Sequence, residues 1–179
     1  MENKRAKERG QLLVEASVAT GIIVILVISV VTLSLRALNQ NRLVSDQVIA
    51  TNLAAEGYEI AKNILDGNAY KGIAWNKGFL PGKYEVDYTS LPLFPPDFKK
   101  IDNENDIRFL KLNVDDQLET YGYNYDSGEY TPFKRTILIS TVGSPTTNQI
   151  NITSTVIWNT PKKPAGETVS VSGALLGWR

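Results

Sequence analysis

The side chains that support most enzymatic and metal chemistry are missing from this sequence. Its 179 residues include no cysteine and no histidine. Thiol nucleophiles, disulfides, a Ser-His-Asp triad and the usual zinc and iron ligand sets therefore cannot be built from this chain. Carboxylate pairs, Ser-Lys pairs and oxygen ligands for calcium are the site chemistries that remain. None of these forms a catalytic pattern, so we predict that the protein is not an enzyme and has no cofactor.

One acidic stretch matches a calcium-binding loop in part. Asp102, Glu104 and Asp106 occupy alternate positions, as the oxygen ligands of such a loop do. Ile107 then stands where the loop needs glycine, and Asn113 where it needs a bidentate glutamate. A solvated acidic loop is the better interpretation of residues 102–106, and calcium binding is the less favoured alternative.

Other charged pairs are interpreted as surface groups. Carboxylate pairs can perform acid-base catalysis, but no pattern around these pairs indicates a pocket. The pairs are Glu56 with Glu59, Asp115 with Asp116, Lys134 with Arg135, and Lys162 with Lys163. The tyrosines and tryptophans could form a sugar- or surface-binding platform, but in a small sheet packed on a helix they are expected to be core and rim residues.

The segment with the clearest functional signal lies near the N-terminus. Residues 16–35 contain no ionisable side chain, and this length suffices for a helix that crosses the hydrocarbon core of a bilayer. Glu15 stands at the start of the apolar run, where a carboxylate is costly enough to predict a specific partner. The charged residues MENKRAKER and then Gly10 precede it.

This combination of glycine, glutamate and apolar helix resembles the N-terminus of type IV pilins and of type II secretion pseudopilins. The resemblance implies that residues 1–10 are a leader, that a prepilin peptidase cuts after Gly10, and that Gln11 begins the mature chain. Glu15 then occupies the place of the glutamate that acts in filament assembly. Two positions depart from the usual pattern: Gln11 stands where Phe or Met is common, and Thr32 where major pilins commonly have proline.

Charge predicts the orientation in the membrane and argues against one class of partner. The leader has four Lys and Arg residues against two Glu, which favours a cytoplasmic N-terminus with the residues after Arg36 outside. Its removal changes the net charge from zero to about −2, so nucleic acid is not an expected partner.

A secretory signal peptide is an alternative interpretation of the N-terminal segment, although the apolar run is longer than such a peptide needs.

Helical periodicity continues beyond the apolar segment. No proline occurs before Pro81, and apolar or small residues recur at three- and four-residue spacing between Leu43 and Ile64. This pattern predicts that residues 37–66 form the amphipathic second half of one long helix, which ends at Gly67. The segment NLAAEGYEIAKNILDGNAY is also similar to the corresponding part of minor pilins.

The first predicted strand alternates in polarity. Tyr84, Val86 and Tyr88 alternate with Glu85 and Asp87. Such a period of two predicts a half-buried strand over residues 84–89, with the aromatic and aliphatic side chains facing the core and the carboxylates facing solvent.

The rest of residues 67–179 is predicted to form a loop and an antiparallel sheet. Trp75 and Phe79 are expected to anchor the loop on the core. Further strands are expected at 107–114 and around Tyr121, and the sequence from Asp126 to Gly128 indicates a hairpin turn or a short excursion. The runs 133–142, 150–159 and 167–178 predict an antiparallel meander. The order of these runs also resembles the C-terminal half of minor pilins and pseudopilins.

Together these patterns predict an α+β protein with the pilin fold, a long N-terminal helix packed on an antiparallel sheet. The resemblance implies a minor subunit of a type IV pilus or related filament. The implied partners are other pilin or pseudopilin subunits through residues 11–36, prepilin peptidase, an inner-membrane assembly platform, and membrane lipid before assembly. The implied location is the cytoplasmic membrane, as a single-pass protein, and then a filament. The alternative is a membrane-anchored binding or enzymatic ectodomain, residues 37–179, that forms no filament.

Overall fold

The computed structural model of the protein describes residues 2–88, 98–115, 118–126, 128–141, 149–160 and 163–177. The fold is α+β, as predicted, with one long N-terminal helix followed by antiparallel strands. The elements in the described residues are α1 (Glu2–Tyr70), β1 (Gly82–Glu85), β2 (Lys99–Lys100), β3 (Lys111–Asp115), β4 (Leu118–Gly122), β5 (Glu129–Tyr130), β6 (Phe133–Thr141), β7 (Gln149–Thr160) and β8 (Lys163–Leu176). By its internal contacts the chain divides into two units, Met1–Ser45 and Asp46–Arg179.

Helix α1 is continuous because no proline interrupts it. It begins at Glu2, so the predicted leader shares its helical backbone, and it ends at Tyr70, past the predicted end at Gly67. Gly72 instead adopts the left-handed conformation that ends the helix, with a φ of 69°. The Lys71 N–H still donates to the Gly67 carbonyl at 3.1 Å, which closes one more helical turn.

The side chain of Asn68 holds the loop that follows the helix. It is buried, and its amide donates to the carbonyls of Trp75 at 3.1 Å and Lys77 at 3.0 Å. Phe79 is buried and Trp75 packs against the same apolar cluster, which confirms both predicted anchors. Asn68 therefore needs to sit in the last helical turn, and this tertiary requirement extends α1 beyond the local stop signal at Gly67.

The larger sheet has five strands in the order β2-β1-β6-β7-β8, all antiparallel. Strands β6, β7 and β8 follow one another in the chain and in the sheet, which confirms the predicted meander. Ile139 of β6 lies opposite Ile152 of β7, and Ile152 lies opposite Gly173 of β8. Strand β8 starts at Lys163, earlier than predicted, because Thr160 still pairs with Lys163 across a register shift.

A smaller sheet of three strands has the order β4-β3-β5. Asp115 pairs with Leu118, so β3 and β4 form an antiparallel hairpin. Strand β5 pairs with the opposite edge of β3, where Lys111 lies beside Tyr130. Strands β4 and β5 therefore lie on opposite edges of β3 and do not form a hairpin with each other. Among the predicted features, Thr89, Asp116, Ser127, Val142, Lys162 and Trp178 lie outside the described residues.

The core lies between the second half of α1 and the five-stranded sheet. One cluster joins Ile60, Ala61, Ile64 and Leu65 to inward-facing isoleucines of the sheet, including Ile137, Ile139, Ile150 and Ile152. A second cluster joins Ala50, Leu53 and Ala54 to Leu110, Tyr123, Phe133, Val156 and Trp158. Each fully buried Leu or Ile side chain contributes about 1.5–3 kcal/mol. The predicted amphipathic helix therefore packs on the sheet through its apolar stripe.

The alternation predicted for the first strand is wrong at its acidic positions. Glu85 and Asp87 are each only 2 % exposed, whereas Tyr88 is 41 % exposed. Glu85 accepts hydrogen bonds from the Arg108 backbone N–H at 2.6 Å and from the Arg108 Nε at 2.7 Å. Asp87 accepts one from the backbone N–H of Tyr123 at 3.1 Å. These partners cover the face that a half-buried strand would expose, and they stabilise the two carboxylates there.

Candidate functional site

The apolar half of α1 is uncovered by the rest of its unit. Large apolar side chains between Leu12 and Leu38 are more than half exposed. An 18-residue window of the helix has a mean hydropathy of 2.7, and none of that window is buried. Among the described residues, one helix is long and apolar enough to cross a membrane. It contains the predicted segment 11–36.

Every hydroxyl side chain in residues 11–35 is hydrogen-bonded within the helix. Each donates to the carbonyl four residues earlier, at 2.7 to 2.9 Å. The residues are Ser17, Thr20, Ser29, Thr32 and Ser34. Because the donors are satisfied internally, these side chains can enter an apolar environment without leaving a polar group unpaired. The segment therefore carries five hydroxyl side chains, yet none of them presents an unsatisfied hydrogen-bond donor to its surroundings.

Glu15 is the exception on this surface. It is exposed on α1, and within the described residues it forms no hydrogen bond and no ion pair. Gln11 lies one helical turn before it, so both side chains project from the same face of the helix. Gly10 precedes Gln11 within the same helical backbone. The three predicted site residues thus lie within six consecutive positions of one helix, at the start of the uncovered apolar segment.

The acidic stretch considered for calcium is paired with lysines. Glu104 lies 3.2 Å from the Lys83 ammonium, and Asp102 lies 3.3 Å from that of Lys100. The Lys99 ammonium donates to the backbone carbonyl of Asp106 at 3.4 Å. Over the described part of the chain, no group of three or more acidic side chains is arranged to hold a metal ion. The stretch is exposed throughout residues 102–106.

Arg135 was predicted to be a surface residue, and this prediction is wrong. Its side chain is 0 % exposed. Its guanidinium donates to the Leu53 carbonyl at 3.1 Å and to the Val86 carbonyl at 2.9 Å, and it lies 3.2 Å from the Glu56 carboxylate. One arginine therefore connects α1, β6 and the residue after β1. The sequence signal that could have indicated this role is Glu56, an acidic residue next to the apolar stripe of the helix.

One buried tyrosine, Tyr123, lies beside this arginine. The Tyr123 hydroxyl donates to the Arg135 carbonyl at 2.7 Å, and burial raises the pKa of Tyr123 above its ordinary value. Burial also raises the pKa of Tyr125 to about 12. Both phenols are therefore neutral at physiological pH, and their hydroxyls donate hydrogen bonds, from Tyr123 to the Arg135 carbonyl and from Tyr125 to the Thr120 hydroxyl.

An open cleft of about 250 Å³ lies beside the C-terminal end of β8. Trp75 and Leu65 form apolar walls, while Lys62 and Asp66 contribute charges at its rim. Lys62 and Asp66 come from the same face of α1, at i and i+4, where such a pair ordinarily supports the helix.

Comparisons with protein-family models, with curated proteins and with solved structures give no match for this chain. Its function is therefore inferred from its own residues.

Proposed function

We propose that this protein is a minor subunit of a type IV pilus or a related filament, held in the cytoplasmic membrane before assembly. Residues 11–36 span the bilayer in the unassembled subunit and join the helical centre of the filament afterwards. The compact unit Asp46–Arg179 supplies the ectodomain. Its core is complete in itself, since the apolar stripe of the helix between Ala50 and Leu65 is covered by the sheet.

The observation that carries the proposal is Glu15 on an otherwise apolar surface. Each hydroxyl of the segment donates to the backbone carbonyl four residues earlier, so a plain lipid anchor is fully accounted for without the carboxylate. An ionised group facing lipid costs on the order of 3 kcal/mol at depth. A side chain that is unfavourable for anchoring and has no partner in its own described chain is best explained by a partner on another molecule.

The resemblance supplies that partner. A cut after Gly10 gives Gln11 a new α-ammonium group, and the carboxylate of Glu15 on an incoming subunit pairs with the ammonium group of a subunit already assembled. Breaking a buried ion pair by removing one partner costs on the order of several kcal/mol, because it leaves an uncompensated charge. The ion pair thus mainly fixes the axial position of each subunit relative to its neighbour. Buried polar residues set the register of coiled coils in the same way.

The first test of the proposal is the mature N-terminus. In cells that contain a prepilin peptidase, mass spectrometry of the membrane-extracted protein is expected to give Gln11 as the first residue. Gly10→Val is expected to remain full-length, because the peptidase cannot accommodate the larger side chain at the cut. Gly21→Val is the matched control, since a side chain at Gly21 meets no atom within 4 Å.

A mature protein that begins at another residue would indicate another function. A start at Met1 in the wild-type protein would contradict the proposal and support a membrane-anchored binding or enzymatic ectodomain. A start near residue 37 would indicate a secreted protein. Normal-size mature protein from Gly10→Val would show that Gly10 is not the processing site.

A further inference from the structure

One face of the ectodomain gathers exposed aromatic rings and lysines. Leu110 and Phe133 are buried, and the Leu110 N–H donates to the Phe133 carbonyl at 2.9 Å. Side chains next to them in the chain, Phe109, Lys111 and Lys134, therefore point to the opposite, solvent side. Tyr130 lies on that side as well, because it pairs directly with Lys111.

The lysines and rings contact one another in pairs. The Lys134 ammonium lies 4.4 Å from the centre of the Phe109 ring, and the Lys111 ammonium lies 5.0 Å from that of Tyr130. Such cation–π contacts hold the flexible lysine side chains in place on the surface. Phe109 remains 42 % exposed and Tyr130 71 % exposed, so both residues leave a large part of their area open to a ligand.

Two further tyrosines continue this face. The Lys111 ammonium donates to the Tyr125 carbonyl at 2.7 Å, and the rings of Tyr125 and Tyr88 are 6.2 Å apart. The Tyr125 hydroxyl lies 2.8 Å from that of Tyr88 and 2.7 Å from that of Thr120. We call the surface formed by Tyr88, Phe109, Lys111, Tyr125, Tyr130 and Lys134 the aromatic-basic face. It combines flat apolar rings with hydroxyl groups and positive charge.

The two lysines of the aromatic-basic face differ from several other lysines of the ectodomain in forming no ion pair with a described residue. Lys83, Lys99 and Lys163 of the ectodomain each form an ion pair with a carboxylate. Within the described residues, Lys111 and Lys134 form none. Glu129 adjoins Tyr130 in the chain but pairs with Leu112, so it lies on the other side of the strand.

These features favour one class of ligand. Exposed aromatic rings stack on the apolar faces of sugar rings, and phenol hydroxyls can hydrogen-bond sugar hydroxyls. Two lysines that form no ion pair within the described residues fit a polymer with a sparse negative charge. They are too few for nucleic acid, since binding to nucleic acid draws most of its affinity from many phosphate contacts. We propose that the aromatic-basic face binds an acidic polysaccharide with carboxylate-bearing sugar rings.

The test uses the full chain in nonionic detergent micelles and immobilised polygalacturonate, a polymer of uronic acid. Binding is expected to polygalacturonate and not to neutral dextran. Tyr130→Ala and Lys134→Ala are each expected to raise Kd about threefold to tenfold, the range for loss of one aromatic or cation contact. Raising the ionic strength from about 0.01 M to about 0.1 M is expected to weaken binding, because it shortens the Debye length to about 10 Å.

Matched controls come from Tyr70 and Lys71, an exposed tyrosine–lysine pair outside the aromatic-basic face. Tyr70 is 93 % exposed, and neither residue belongs to the core. Tyr70→Ala and Lys71→Ala are expected to leave Kd unchanged. Tyr130→Phe and Lys134→Arg keep the ring and the charge, and are expected to keep most of the affinity. Unchanged unfolding midpoints show that the alanine variants remain folded.

Four results would overturn the assignment. They are absence of binding to polygalacturonate, equal binding to dextran, equal losses from the Tyr70 and Tyr130 variants, and tighter binding to a single-stranded oligothymidylate. The last result would identify the ligand as nucleic acid. None of these outcomes bears on filament assembly, because the aromatic-basic face lies outside residues 11–36.

Discussion

Gly57 and Arg135 are in direct contact where α1 crosses the five-stranded sheet. A Cβ atom on Gly57 would lie 2.8 Å from the Arg135 Cδ and 2.5 Å from the Ser154 Oγ, both closer than unbonded atoms can approach. The helix therefore needs a residue without a side chain at this position. Because Gly57 has no side chain, the buried Arg135 side chain can pass the helix and reach the Leu53 carbonyl and Glu56.

Gly57→Ala is expected to destabilise the ectodomain by about 1–3 kcal/mol, the usual cost of overpacking a dense interior. Gly67→Ala is the control on the same helix. Nothing lies within 4 Å of a Cβ at Gly67, so this change should stabilise the protein by about 0.5–1 kcal/mol through helix propensity. Urea unfolding followed by tryptophan fluorescence measures both, since all three tryptophans follow residue 70. Equal effects from the two substitutions would show that Gly57 is not crowded.

Arg135→Met is expected to cost about 2–4 kcal/mol of unfolding free energy, because each buried acceptor left without its donor costs about 1–3 kcal/mol. The acceptors are the carbonyls of Leu53 and Val86. Lys134→Met changes the adjacent, partly exposed cation and should alter stability by no more than about 0.5 kcal/mol. The same urea titration compares the two variants. A loss from Lys134→Met as large as that from Arg135→Met would contradict the assigned role of the guanidinium.

Stability is expected to fall at alkaline pH. The folded protein holds the protons of Tyr123 and Tyr125 above the ordinary phenol pKa of 10.0, and the pKa of Tyr125 is about 12. The unfolded chain then releases protons first, so the contribution of these two phenols to the free energy of unfolding is constant below about pH 10 and decreases from there to about pH 12. Urea midpoints measured across this interval test the slope.

The tyrosine variants separate the contributions to that slope. Tyr123→Phe lowers the stability at every pH because it loses the hydrogen bond to Arg135, but it should also flatten the decline above pH 10. Tyr70→Phe alters an exposed phenol and should leave both the midpoint and the slope unchanged. A decline of the same steepness in Tyr123→Phe would show that this phenol does not contribute to the pH dependence.

Local sequence patterns predicted the helix and the main strands of this fold. The predictions failed where contacts between residues far apart in the chain bury a charged side chain. The absence of proline before Pro81 and the period of the apolar residues were sufficient for α1, and alternation was sufficient for the meander of β6 to β8. Glu85 and Arg135 were predicted to be exposed because each stands in a polar position of its own segment. Their partners, Arg108 and Leu53, come from elsewhere in the chain, so no local pattern could indicate their burial.

The candidate site was easier to predict than the core. Gly10, Gln11 and Glu15 are close in sequence, and a helix alone brings Gln11 and Glu15 to one face. The aromatic-basic face could not be predicted, because Phe109 and Lys134 meet only through the pairing of Leu110 with Phe133. The partner of Glu15 could not be predicted from packing, since the proposed ion pair joins two molecules.

The measurement that tests the proposed function most directly is incorporation of Glu15 variants into filaments. Sheared filaments are collected from the cells that assemble them, and the amount of this subunit is measured against the major subunit by mass spectrometry. Ser17→Ala is the matched control, two residues after Glu15 on the same helix. The Ser17 hydroxyl donates to the Leu13 carbonyl within the helix, so it is not needed by a neighbouring subunit.

Glu15→Leu is expected to be inserted in the membrane and cleaved normally but to enter filaments at a small fraction of the wild-type level. The unpaired ammonium group of its neighbour would cost on the order of several kcal/mol. Glu15→Asp, one methylene shorter, should be intermediate, and Ser17→Ala should match the wild type. Wild-type incorporation of Glu15→Leu, or absence of the wild-type protein from the filaments, would contradict the account.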